Sequence, residues 1–119
     1  MTLKPIPMLS DPEAGFEPSN MVAEQDFTSD DKSEKGHLFF HDEKAGVTAG
    51  VWEVAPSKEN FDAYPGNEMI KILSGELILT SPDGTAQTYV AGDVFFLPKG
   101  TPCVWEVTKT LRKFYMVVA

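Results

Sequence analysis

Glu68 is the residue whose setting most directly implies chemistry. In the run Glu68-Met-Ile-Lys-Ile-Leu73, strand alternation places Glu68, Ile70 and Ile72 on one face and Met69, Lys71 and Leu73 on the other. A carboxylate aligned with two isoleucines faces an apolar interior, unless it sits at a strand end and reaches water. Burial without a partner would cost several kcal/mol or force protonation. Lys113 is a candidate partner, because it alternates with Leu111, Tyr115 and Val117 onto one face of the last apolar run. There it supplies a countercharge, binds an anionic ligand, or snorkels to the surface. Trp52 and Trp105 could stack a flat ligand, although large aromatics in a small domain serve first as core. Cys103, in an apolar context with no adjacent histidine, reads as a small core residue before a nucleophile.

His37 and His41 are the chain's two histidines. The Leu38-Phe39-Phe40 run between them predicts a strand, on which their spacing of four separates them by roughly 13 Å, too far to share one metal ion. The chain has no phosphate-cradling glycine loop, Ser-His-Asp arrangement or Cys-x-x-Cys pair, which removes several common enzyme classes.

The elements that must position these groups are strands. After Gly36 come short β-branched or aromatic runs at His37–His41, Gly46–Val54, Glu68–Leu73, Glu76–Thr80, Ala86–Val90, Val94–Leu97, Cys103–Val107 and Arg112–Val118, each bounded by turn chemistry. Ser81-Pro82-Asp83-Gly84 predicts a tight turn closing a hairpin between Glu76–Thr80 and Ala86–Val90. No long helical stripe interrupts them, so the pattern predicts an all-β sandwich or small barrel. Residues 1–35 are different. They hold four of the nine prolines and eight acids against three lysines. Their scattered apolar residues (Ile6, Met8, Phe16, Met21, Val22, Phe27) suit an arm packed on the barrel, or on a neighbouring protomer, better than a solvating tail.

At 119 residues the chain supports one core. Its net charge of −8 argues against binding nucleic acid or an anionic membrane by phosphate neutralisation. A single cysteine excludes an internal disulfide and agrees with a reducing compartment. No signal-peptide core and no apolar run near the roughly 18 residues of a membrane span is present, so a cytoplasmic protein is expected.

Two glycine-punctuated strands carry a further signal. Glu68 precedes Gly75 by seven positions, and Gly92-Asp-Val-Phe-Phe-Leu-Pro98-Lys-Gly100 places a short strand between two corners. These spacings resemble the paired motifs of the cupin superfamily of small β-barrels. In that family two histidines and a glutamate of the first motif, with one histidine of the second, hold a divalent metal. Aligned on those motifs, the glutamate falls on Glu68, the first two histidines on Asp62 and Tyr64, and the third on Cys103. The scaffold positions match and all three imidazoles are missing. Gly50-Val-Trp52-Glu-Val, Val104-Trp105-Glu106-Val107 and Arg112-Lys113-x-Tyr115 further resemble the cupin domains related to ureidoglycine aminohydrolase and to the ethanolamine-utilisation cupin. In its lost histidines the chain is similar to the second.

The resemblance implies a cupin (RmlC-like) jelly-roll β-barrel over residues 36–119, preceded by an acidic arm over 1–35. It implies a pocket where Asp62, Tyr64, Glu68 and Cys103 converge, joined by Lys113 and Trp105. A divalent metal there would need deprotonated tyrosine and cysteine, ordinarily near pKa of about 10 and 8.5, and would mix soft and hard ligands. No obligatory metal cofactor is therefore expected. The expected function is binding of a small polar metabolite. The alternative is an enzyme of aminohydrolase or lyase type on such a metabolite, metal-assisted or using Asp62, Tyr64 and Glu68 for proton transfer. Expected partners are that small-molecule ligand and a second copy in a homodimer, with neither nucleic acid nor membrane.

Overall fold

A computed structural model describes residues 2–119 of the chain. The strands are β1 (Glu17–Pro18), β2 (Glu34–Asp42), β3 (Val47–Val54), β4 (Ser57–Phe61), β5 (Asn67–Thr80), β6 (Ala86–Val90), β7 (Val94–Leu97) and β8 (Cys103–Val118). Every pairing between them is antiparallel. Among the described residues the helical content is one 3-10 turn, Glu24–Asp26, and no helix is long and apolar enough to cross a membrane.

Two long strands organise the molecule. The second half of β8 pairs with β3 and with the first half of β5, while its first half pairs with β4 and the end of β5. β7 extends the first half of β5, and β6 extends the second. One continuous sheet thus folds into two layers, β1-β2-β3-β8-β5-β7 facing β4-β8-β5-β6, a jelly-roll arrangement with the core between them. The bend lies where β5 and β8 slip register between Ile72 and Leu77. Gly75 permits it: its φ is +90°, and a Cβ there would lie 2.1 Å from the Thr110 carbonyl oxygen, closer than any side chain allows.

The sequence pattern treats each of these strands as two, because Ser74-Gly75 and the polar Thr108-Lys109-Thr110 look like breaks. They are bends inside continuous strands. Inward residues on either side of the bend, Ile70, Ile72, Leu77 and Leu111, are fully buried, each contributing about 1.5–3 kcal/mol by removal from water. β4 carries no such signal and escapes the sequence reading. Its inward positions are Ser57, Glu59 and Phe61, its outward ones Lys58 and Asn60, so one apolar residue in five marks it.

The leader packs against this frame. Glu17 and Pro18 pair with Gly36 and Lys35 at the start of β2, Val22 enters the core at 5% exposure, and Phe27 bridges to Ser57 of β4. Phe16 lies between two cations, with Lys35 Nζ and Arg112 Cζ each 4.7 Å from its ring centre. Arg112 also donates to the Ser10 carbonyl at 2.8 Å and to Asp11 at 2.7 Å.

Candidate functional site

Between the two layers and the leader opens a cavity of about 780 Å³. Its floor comes from β5 and β8, whose inward alternation brings Glu68, Trp105, Lys113 and Tyr115 to its surface. Tyr64 joins from the loop before β5. Its backbone is pinned by the turn after β7, donating to Thr101 O at 2.9 Å and accepting from Gly100 N at 2.8 Å. The Pro98-Lys-Gly100 corner thus has a direct role in placing a cavity side chain.

Three of these groups form one buried chain. The Tyr64 hydroxyl donates to Glu68 Oε1 at 2.8 Å, and Lys113 Nζ donates to Glu68 Oε2 at 2.5 Å. The side chains of Lys113 and Glu68 are only 7% and 9% exposed. Burial, followed by the adjoining Glu68 charge, drives the Tyr64 hydroxyl far above its ordinary acidity range, so it stays a protonated donor. The same two influences raise Tyr115. The ammonium of Lys113 also lies over aromatic faces, 4.7 Å from the Trp105 ring centre, 4.9 Å from Trp52 and 5.5 Å from Tyr115. An ammonium held by one carboxylate and three π faces is well compensated despite its burial. Gly50 makes room for this box: a Cβ there would lie 2.7 Å from the Tyr115 hydroxyl. Tyr64 stacks on Trp105 at 6.1 Å, and Phe61 meets Tyr64 edge-on at 5.0 Å.

The leader supplies another wall, with Glu17, Pro18, Ser19, Met21 and Val22 lining the cavity. One carboxylate holds it there. Glu34 accepts from the Ser19 hydroxyl, from the backbone N–H of Met21 at 2.8 Å and of Val22 at 2.9 Å, and from the indole N–H of Trp52 at 2.9 Å. Partial burial pushes the Glu34 carboxyl upward, but these hydrogen bonds outweigh it and leave the group below its ordinary value. Through Trp52, the leader's anchor also touches the ring that faces Lys113.

Of the groups expected to converge, the structure brings together Tyr64, Glu68, Lys113 and Trp105. Two fall elsewhere. Asp62 is exposed and does not line the cavity: β4 ends at Phe61, so the alternation that would align it with Tyr64 has already stopped. Cys103 is buried in the core cluster, also off the cavity surface, and burial raises its thiol. His37 and His41 line the cavity, where His41 Nδ1 lies 2.9 Å from the Thr48 hydroxyl. The residue that sequence reasoning missed is Glu59. It lines the cavity from β4, opposite Trp105 in the strand register. Burial first, then the charges of Asp26 and Glu34, push its carboxyl up to about 6 against a smaller opposing pull from Lys113.

These residues do not fit a divalent cation of the kind that the cupin motifs imply. Glu68 has both oxygens committed, one to a fixed ammonium that would repel a second cation. The positions aligned with the histidines hold an exposed aspartate, a protonated tyrosine and a core thiol.

The fold and these residues can be set beside known proteins. The sequence profile of the EutQ-like cupin domain matches residues 41–115. A protein of unknown function from Pseudomonas syringae pv. tomato, of the DUF861 family, superposes with a TM-score of 0.80 at 25% identity over 92% of this chain. The chain spans 46% of that protein's length. The EutQ protein of Clostridium difficile superposes with a TM-score of 0.61 at 19% identity, covering 83% of this chain and 80% of its own. A DUF861 family protein from Thermotoga maritima is 35% identical over 55% of this chain and 73% of its own, with a TM-score of 0.50. No match was found among the curated proteins. With most of the barrel inside the matched segment and the jelly roll shared throughout, the chain belongs to the EutQ-like cupin domain family.

Proposed function

We propose that the cavity is the binding site for a small polar metabolite, held by Tyr64, Glu68, Lys113 and Trp105 without an obligatory metal ion. The observation that carries this reading is the buried Tyr64–Glu68–Lys113 chain exposed to an aromatic-walled cavity. Polar groups grouped at the floor of an apolar concavity are the usual composition of a small-molecule site, and a fixed ion pair keeps them oriented before ligand arrives. A catalytic version of the reading runs through Glu59, the cavity carboxyl that burial pushes up to about 6, and not through Tyr64, whose hydroxyl stays protonated. Ureidoglycine aminohydrolase chemistry has no specific support in these side chains.

The test is a thermal-shift screen over amines, amino acids, ureido compounds and short carboxylates, repeated with Tyr64→Phe and Glu68→Gln. The expected result is a stabilising ligand whose effect disappears in both variants while the folded spectrum persists. Undiminished stabilisation in both variants would remove the cavity assignment.

We also infer a homodimer. Phe96 on β7, Met69 on β5 and Met116 on β8 are register neighbours on the outer face and are 58%, 42% and 43% exposed. A row of three large apolar side chains left in water suits a self-complementary contact.

A further inference from the structure

Three carboxylates line the cavity, Glu17, Glu59 and Glu68; Glu17 is exposed to water on the leader, and the other two can be asked what neutralises them. Glu68 has Lys113 and Tyr64. Glu34, which anchors the leader without lining the cavity, has four donors. Glu59 has none: among the described residues no donor hydrogen-bonds its carboxylate, and the charges that bear on it most strongly are the like charges of Asp26 and Glu34. Lys113, the nearby cation, is already matched by Glu68. With Glu17 exposed to water, Glu59 is therefore the one partly buried carboxylate of the cavity wall left uncompensated. That group faces an aromatic lining whose rings already accept an ammonium over their faces, at Trp52, Trp105 and Tyr115. Trp105, the cross-strand neighbour of Glu59, also has its indole nitrogen buried without a partner, so this side of the cavity is unsatisfied in both senses.

We infer that the ligand of this cavity is a small organic cation, an amine in its ammonium form, whose charge pairs with Glu59 while its body lies against Phe61, Tyr64 and Trp105. The inference rests on the cavity being the binding site and adds the chemical class of what it holds. An ammonium supplies the countercharge that Glu59 lacks and gains the face attraction that the site already offers to Lys113. A carboxylate ligand would instead add a third negative group beside Glu59 and Glu68, with the single cavity lysine already engaged. Like-charge placement in a partly desolvated site strongly disfavours it.

Three probes of one shape and different charge separate the possibilities: benzylammonium, benzyl alcohol and benzoate, titrated against the full chain by tryptophan fluorescence and calorimetry. Both tryptophans line the cavity, so occupancy is read directly. Benzylammonium is expected to bind about tenfold tighter than benzyl alcohol, the size of one half-screened ion pair with a cation–π contact, and benzoate weakest. Glu59→Gln should bring benzylammonium level with benzyl alcohol while leaving the alcohol unchanged. Between pH 5 and 7.5 the affinity for benzylammonium should rise as Glu59 ionises, and that for benzyl alcohol should stay flat. Benzoate binding as tightly as benzylammonium, or a Glu59→Gln variant that keeps the preference, overturns the cation and leaves the cavity reading standing. The competing way to satisfy Glu59 and Trp105, a hydrogen bond between them, predicts that loss of head-group preference. Failure of all three probes to bind overturns both.

Discussion

Replacing Lys113 with methionine should damage the protein far more than deleting a surface ion pair. The pair is almost wholly buried, at 7% and 9% side-chain exposure, with a 2.5 Å contact. Methionine keeps the length and apolar stem of the lysine but strands the Glu68 carboxylate among Ile70, Ile72 and aromatic rings, with only the Tyr64 hydroxyl to support it. Stranding one member of a buried pair costs about 3–5 kcal/mol. Glu68→Gln should cost less, about 2–3 kcal/mol, because a glutamine oxygen can still accept from Lys113 and the ammonium retains its three ring faces. The double variant removes both charges, so its loss should fall well short of the sum, leaving a coupling of about 2 kcal/mol or more. Urea unfolding at pH 7 reads all three. With a slope of about 1–3 kcal/mol per molar, Lys113→Met should lower the midpoint by about 1–5 M, with the slope unchanged. A loss under about 1 kcal/mol in Lys113→Met, or additive single variants, would refute the claim that this contact is a desolvated, mutually dependent pair.

Two further outcomes follow from the same geometry. Glu59 has its folded pKa raised to about 6 from an ordinary 4.5, so the folded state holds its proton more tightly than the unfolded state. Its contribution is therefore fully favourable below pH 4.5 and is lost as pH rises to about 6. After discounting for its partial exposure the loss is about 1 kcal/mol, so the stability difference between Glu59→Gln and wild type should grow in the variant's favour by that amount from pH 4.5 to 7; parallel profiles would contradict it. For the outer face, light scattering at tens of micromolar should give a dimer mass for wild type and a monomer mass for Met69→Glu with unaltered tryptophan emission. A monomeric wild type sinks the dimer.

How far the sequence spoke depended on which signal a residue carries. β6 and β7 have the bounds that turn chemistry predicts, because Asp83-Gly84 and the Gly92 and Pro98 corners are local signals that need no tertiary partner. β5 and β8 read as two strands each because a bend and a break share the same composition, and only the crossing of Gly75 over Thr110 distinguishes them. Glu68 and Lys113 were legible as inward residues from period-two alternation, and their pairing is the burial argument carried to its end. Asp62 was misplaced for want of knowing that β4 stops at Phe61. Glu59 was invisible for a related reason. A strand whose inward residues are serine, glutamate and phenylalanine has no apolar alternation, since an inward carboxylate is stable there only by virtue of a cavity that no local pattern describes.

The electrostatics of the site follow from one substitution of charge carriers. In the motif that this chain resembles, imidazoles and a glutamate surround a bound cation, and that cation retains charge to offer an incoming ligand. Here the cation beside Glu68 is Lys113, a single positive charge already opposed by a single negative one. The floor of the cavity is therefore close to neutral, and it holds its shape through packing and two hydrogen bonds. Apart from the water-exposed Glu17, the charge left to act on a ligand is that of Glu59, on the opposite strand from Trp105, with Asp26 and Glu34 reinforcing it. A pocket organised around a metal draws in anions and carbonyls. One whose internal cation is neutralised at home, with a spare carboxylate on its wall, has the reverse polarity. Preference among charged ligands should thus depend on Glu59 and be nearly indifferent to added divalent metal. That contrast can be measured on one protein in one buffer series, with and without chelator.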